Sequence, residues 1–360
     1  IAGAQSVSVN EMTLNPRTNV YEYWITLDAD DFNDGLIEVV ATAYPIIGTP
    51  LVLQGELEPA KLNGYHSLFL NANSLGTLSE PIVWVDSVNG NDTTGDGSSG
   101  LPFATMYFAL QDVFTNYGSA DGARVYLSAG DYEYARPNGA FTPDTTNRWV
   151  TIMPAPGVSR ENVKIISPVG SANSGMYTKL VNLYNITLMA PLLTSTNLED
   201  YLWIDNVYLN GGGPNDPLAY WSSAWWTGVY ATDSTIFNTT NGFTTVSLAR
   251  NVVADEISND AFPGALFVIN SRVSAINPHG TVNHNDVWQE RTPGTEDNVI
   301  VYGLYLDDSS PVQGFLSRTL EHNNIAFVNN YLHLGGYPNQ NQWRTLTDHF
   351  VFKHNTFTGT

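Results

Sequence analysis

The ten residues YLWIDNVYLN (201–210) decide how this chain folds. Apolar side chains alternate on both sides of an asparagine, so the segment reads as two short strands hinged at a residue that tolerates left-handed backbone. The same pattern returns at LVNLYNITLM (180–189), LFVINSRVSAI (266–276), IAFVNNYLHL (325–334) and HFVFKHNTFTG (349–359). In VIVYGLYLDD (299–308) glycine takes the asparagine's place. The marked positions Asn185, Asn206, Asn270, Gly303, Asn329 and Asn355 recur at 21 to 33 residues where neighbours can be paired, the period of a solenoid with loop insertions. These asparagines are therefore expected to stack at a corner between strands.

Composition agrees with an all-β chain. Only 14% of residues are charged, and Asn, Thr, Ser, Gly and Tyr replace the long charged side chains that helix surfaces carry. Hydrophobic content of 42% over 360 residues allows a sizeable core. A formal net charge of −21 repels phosphate backbones and anionic lipids, so nucleic acid and membrane surfaces are poor partners. No apolar run is long enough for a membrane span, and the start IAGAQSVSVN has no signal-peptide pattern, so any such leader is expected to be already removed. The chain has no cysteine, which excludes disulfides, thiolate metal sites and cysteine nucleophiles.

Residues 1–80 carry β-rich runs at 20–27, 36–45, 49–57 and 66–72 separated by turn clusters, the spacing expected of a small Ig- or fibronectin-like β-sandwich. Residues 81–114, PIVWVDSVNGNDTTGDGSSGLPFATMYFALQDVF, then run from a strand through a Gly/Asn/Asp loop into one amphipathic helix. That helix is expected near 102–114, with Pro102 at its start and Phe103, Met106, Tyr107, Leu110, Val113 and Phe114 on one face. The order W-V-D, G-N-D, P-F-A-T, A-L resembles the opening segment of right-handed parallel β-helix proteins of the pectate-lyase-like superfamily. The resemblance implies a right-handed parallel β-helix over 81–360 with the helix covering its open first rung. The C-terminal end is expected to be incomplete, uncapped or protected by oligomer contact.

Six of the seven histidines lie from residue 279 onward. In NPHGTVNHNDVWQERTPG (277–294), His284, Asp286 and Gln289 form an H-x-D-x-x-Q stretch similar to one in β-helix carbohydrate-active proteins, flanked by an exposed ERTPG turn. Aligning NDAFPG (259–264), NDVWQ (285–289) and VQGFL (312–316) puts Asp260, Asp286 and Gln313 in one column, one rung apart. Rungs stack about 4.8 Å apart, so two carboxylates would stand close together, as glycoside hydrolysis or divalent-cation binding requires. The expected catalytic set is Asp260, His284, Asp286 and Arg318, with Asp260 and Asp286 alternatively holding Ca2+. Gln289 and Gln313 would position hydroxyls. Trp221, Trp225 and Trp226, in the aromatic insertion 211–230, would stack on sugar rings. The Asp307–Asp308 pair is shared with polygalacturonases, but their G-H-G and R-x-K patterns are absent.

Two functions compete. One is an exported, secreted or cell-surface polysaccharide lyase or glycoside hydrolase working in a groove along the solenoid. The other is a non-catalytic surface, filament or tail-spike-like protein that uses the solenoid as a rigid rod. Homo-oligomer assembly through the C-terminal end or the N-terminal module is open to either.

Overall fold

The computed structural model describes residues 8–15, 20–23, 35–37, 39–43, 51–55, 68–70, 81–117, 122–133, 149–166, 180–189, 201–212, 228–276, 285–290, 298–308, 312–317, 322–334, 342–343 and 347–358. The chain divides into two compact units, Ile1–Thr77 and Leu78–Thr360. In the first, Thr13–Asn15 pairs with Val20–Glu22, Gly35–Ile37 with Leu68–Leu70, and Val39–Ala43 with Leu51–Gly55. All three pairs are antiparallel. These are the ladders among the described residues of that unit, and they do not by themselves show the expected sandwich.

The second unit is a parallel β-helix. Among the described residues its strands stack into an 11-stranded sheet, a 10-stranded sheet and a shorter 4-stranded sheet, all with parallel pairing. Each turn of chain gives one strand to the first sheet, bends, and gives the next to the second. Alternation does the sorting. Val83, Val125, Ile152, Leu183, Ile204, Ala231, Ala249, Val268, Val301 and Phe327 are register partners down the first sheet, and all are buried. Leu188, Leu209, Ile236, Ala254, Val273, Leu306 and Leu332 do the same in the second. Burying each of the Val, Leu, Ile and Phe side chains among them contributes roughly 1.5–3 kcal/mol against leaving it in water, and stacking rungs is what makes that burial possible.

The bend between the two sheets falls where the repeat placed it. Asn185, Asn206, Asn270, Gly303 and Asn329 all have φ between 48° and 66°. Each bend N–H donates one rung onward, as in Asn185 N–H to Asp205 O (2.9 Å) and Asn206 N–H to Thr232 O (3.0 Å). Asn206 Nδ2 also donates to Asn185 Oδ1 (2.9 Å), so the corner is an amide ladder. Two rungs escaped the pattern because ATDSTIF and ARNVVAD bend at Asp233 (φ 50°) and Asn251 (φ 54°). In the last rung the left-handed residue is His354 (φ 56°), not Asn355. Asn355 follows the bend and its Oδ1 accepts from Asn330 Nδ2 (2.8 Å).

The helix spans Met106–Asn116, later than the expected 102–114. Thr105 caps it, its hydroxyl accepting from Phe108 N–H (3.4 Å). Asp92 fixes that cap: Oδ1 accepts the N–H groups of Ala104 (2.8 Å) and Thr105 (3.0 Å), and Oδ2 accepts the Thr105 hydroxyl (2.9 Å). The G-N-D and P-F-A-T segments are thus one unit that starts a helix after Pro102 rather than at it. Met106, Ala109, Leu110 and Val113 face the core and cover the first rung.

Candidate active face

The column drawn from Asp260, Asp286 and Gln313 exists. Phe262–Pro263 pairs with Asp286–Gln289 so that Phe262 meets Trp288, and Asp286 meets Gln313 in the next strand. Its carboxylates are buried. Phe262, Trp288 and Phe315 are completely buried, and Asp260, Asp286 and Gln313 each stand two residues before one of them. Period two therefore turns all three to the same side as those rings. Asp260 is 6% exposed and Asp286 0%.

Asp260 Oδ1 accepts the backbone N–H of Asp286 (3.0 Å) and Oδ2 accepts Asn259 Nδ2 (3.0 Å). Asn259 Nδ2 also reaches Asn241 Oδ1 (2.9 Å), extending the network a further rung. Both oxygens of Asp260 thus meet N–H donors. Among the described residues no group of three or more His, Cys, Asp or Glu could hold a metal ion. Glu290, expected in an exposed turn, is buried. Gln289 is half-buried. His284, Arg318, Trp221, Trp225 and Trp226 lie outside the described residues. His333 is half-buried, with Nδ1 2.8 Å from Thr358 Oγ1.

A different group of side chains stands on the outer face of the first sheet. In Tyr201–Asp205, Leu202 and Ile204 point inward, so Tyr201, Trp203 and Asp205 point out. Register extends the arrangement: Tyr184, Asp205 and Thr232 form one outer column, and Asn182, Trp203 and Tyr230 the next. Trp84 and Tyr126 continue the aromatic character towards the helix end, edge to face at 5.1 Å. Tyr201 and Tyr230 stack with their rings nearly parallel.

The face is unevenly shielded. Asn182, Tyr230 and Thr232 are buried, whereas Tyr184, Trp203 and Asp205 keep part of their surface open. Trp203 Nε1–H donates to Thr232 Oγ1 (2.8 Å), and the Thr232 hydroxyl donates to Asp205 Oδ1 (2.7 Å). Burial raises the Asp205 carboxyl above its ordinary range, opposed by the Thr232 bond and reinforced by the negative charge of Asp233. Arg250 pulls the other way, and its Nη2 lies 3.8 Å from Asp233 Oδ2. Alternation in YLWID is by itself sufficient to place this outer triplet on one side of the strand.

No protein-family model and no curated protein matches the chain. Two solved structures of the GH136 lacto-N-biosidase from Eubacterium ramulus do. The native protein aligns at 10% identity and a TM-score of 0.45, over 71% of this chain and 56% of that one. The selenomethionine derivative aligns at 11% identity and a TM-score of 0.29, over 76% and 68%. This chain thus spans little over half the length of the first. Likeness at this level does not carry chemistry from one protein to the other.

Proposed function

We propose that this protein is a polysaccharide-active β-helix that lays a glycan along the outer face of its first sheet. The observation that carries the reading is the pair of outer columns Tyr184–Asp205–Thr232 and Asn182–Trp203–Tyr230. Aromatic rings offer apolar faces to sugar C–H groups while their edges tolerate water. The polar groups between them supply the few directed hydrogen bonds that sugar recognition needs. Partial shielding fits an extended chain held against the sheet. The acidic surface favours an uncharged glycan over a polyanion, and the setting is outside the cell or at its surface, where such polymers are met.

In this reading Asp260 and Asp286 frame the interior and the aromatic face holds the ligand. Affinity electrophoresis through gels containing xylan, mannan, mixed-linkage β-glucan, alginate or polygalacturonate tests it, with reducing-end release measured in parallel. Retardation by at least one neutral polymer, abolished in Trp203→Ala but kept in Asp260→Asn, is the expected result. Unchanged binding by the Trp203 variant would refute the placement.

A further inference from the structure

We propose that Asp205 is the proton donor of a glycosidic-bond hydrolysis on this outer face, with Asp233 as its carboxylate partner. The inference rests on the polysaccharide reading above and adds a reaction to it. Four observations carry it.

First, Asp205 faces out between aromatic rings and is part-buried rather than sealed in the core. Second, its orientation is fixed. The Thr232 hydroxyl accepts the Trp203 N–H, which commits its own hydrogen to Asp205 Oδ1. Oδ1 is therefore an acceptor, and the acid's proton belongs on Oδ2. Third, a second carboxylate stands nearby: Asp233 follows Thr232 directly, and its charge acts on Asp205. Asp233 is itself held by Asn251 Nδ2 (3.1 Å) and Arg250, with half of its side-chain surface exposed. Fourth, a carboxylic acid that must give up a proton near neutral pH needs a raised pKa, and burial pushes Asp205 in that direction.

The step balances with water as co-reactant. Asp205 Oδ2–H transfers its proton to the glycosidic oxygen while the bond from that oxygen to the anomeric carbon breaks. The bonding electrons leave with the oxygen, producing an alcohol. Water adds to the anomeric carbon and gives its proton to Asp233, and the two carboxyls re-equilibrate through solvent. The charges that act on Asp205 are those of Asp233 and Arg250 on the following rungs, and its register partner on the preceding rung is Tyr184. Rate should fall as pH rises through the Asp205 pKa, because only the protonated form donates.

The test uses the full chain with the polysaccharide panel above and a matched series of aryl glycosides whose phenols differ in acidity. Asp205→Asn should lower polysaccharide hydrolysis by about 10²- to 10⁴-fold, yet lose far less on glycosides of acidic phenols, which leave without protonation. Asp233→Asn, which keeps a residue suited to φ 50°, should lose activity on both. Both variants should keep the wild-type circular dichroism spectrum. Equal losses on all leaving groups in Asp205→Asn, or wild-type rates in that variant, would overturn the assignment. Wild-type binding without cleavage of any panel member would overturn the reaction while leaving the polysaccharide reading intact. Absence of both binding and cleavage would overturn both.

Discussion

Removing the Asp260 carboxylate separates an interior frame from a catalytic acid. In Asp260→Ala, the Asp286 N–H loses the Oδ1 that it meets at 3.0 Å, and Asn259 Nδ2 loses Oδ2. Asp286 is 0% exposed, so water cannot replace the lost acceptor. A hydrogen bond to a charged group contributes about 1.5–3 kcal/mol, and the second bond adds about 0.5–1.5 kcal/mol where one donor keeps an alternative partner. The local cost is therefore about 2–4 kcal/mol. Asp260→Asn keeps one carbonyl oxygen for the Asp286 N–H and should lose about half as much. Hydrogen exchange is the suitable assay, because a solenoid can open locally without global unfolding. Protection at the Asp286 amide should drop by about 30- to 1,000-fold in Asp260→Ala and much less in Asp260→Asn, with glycan binding unchanged. Undiminished protection in Asp260→Ala, together with lost hydrolysis, would refute the structural role and return the column to chemistry.

Three further outcomes follow from the same structure. Asp205 has a folded pKa above its unfolded value, so its ionisation opposes folding: the cost is absent below the unfolded pKa near 3.8 and grows as pH rises through the folded one. Asp205→Asn should therefore raise stability in denaturant melts at pH 7 relative to wild type, and that advantage should vanish near pH 3. Gly303→Ala places a methyl group 2.6 Å from Asn270 Oδ1 at φ 66°, and should destabilise by about 1–2 kcal/mol from the left-handed backbone alone, whereas Asn206→Gly should cost less than Asn206→Ala. Trp288→Ala empties a fully buried site and strands the Ala265 carbonyl, which the indole N–H meets at 2.7 Å. A loss of about 3–5 kcal/mol should appear as a lower urea midpoint, with Trp288→Phe intermediate.

Much of the solenoid was legible because its signals are local. An asparagine at a left-handed bend, flanked by alternating apolar residues, specifies strand, corner and strand from a few neighbours, and the register of Asp260, Asp286 and Gln313 came out of spacing alone. Corners at Asp233 and Asn251 were missed because flanking residues such as Thr232 and Arg250 dilute the apolar pattern, although backbone geometry there is the same. The helix moved because Asp92, distant in sequence, binds the Thr105 cap.

Sequence by itself determined which residues share a column, since a parallel stack converts spacing along the chain into position across rungs. It also held the direction of each side chain, in the period-two match of Asp286 with Trp288 and the alternation of Asp205 with Ile204. Only the tertiary structure decided which of those directions is the interior. A carboxylate beside a core aromatic and one beside an outer tryptophan look alike in one dimension. Burial, which is a property of the closed coil and what surrounds it, turned Asp260 and Asp286 into a frame and left Asp205 part-buried on the outer face.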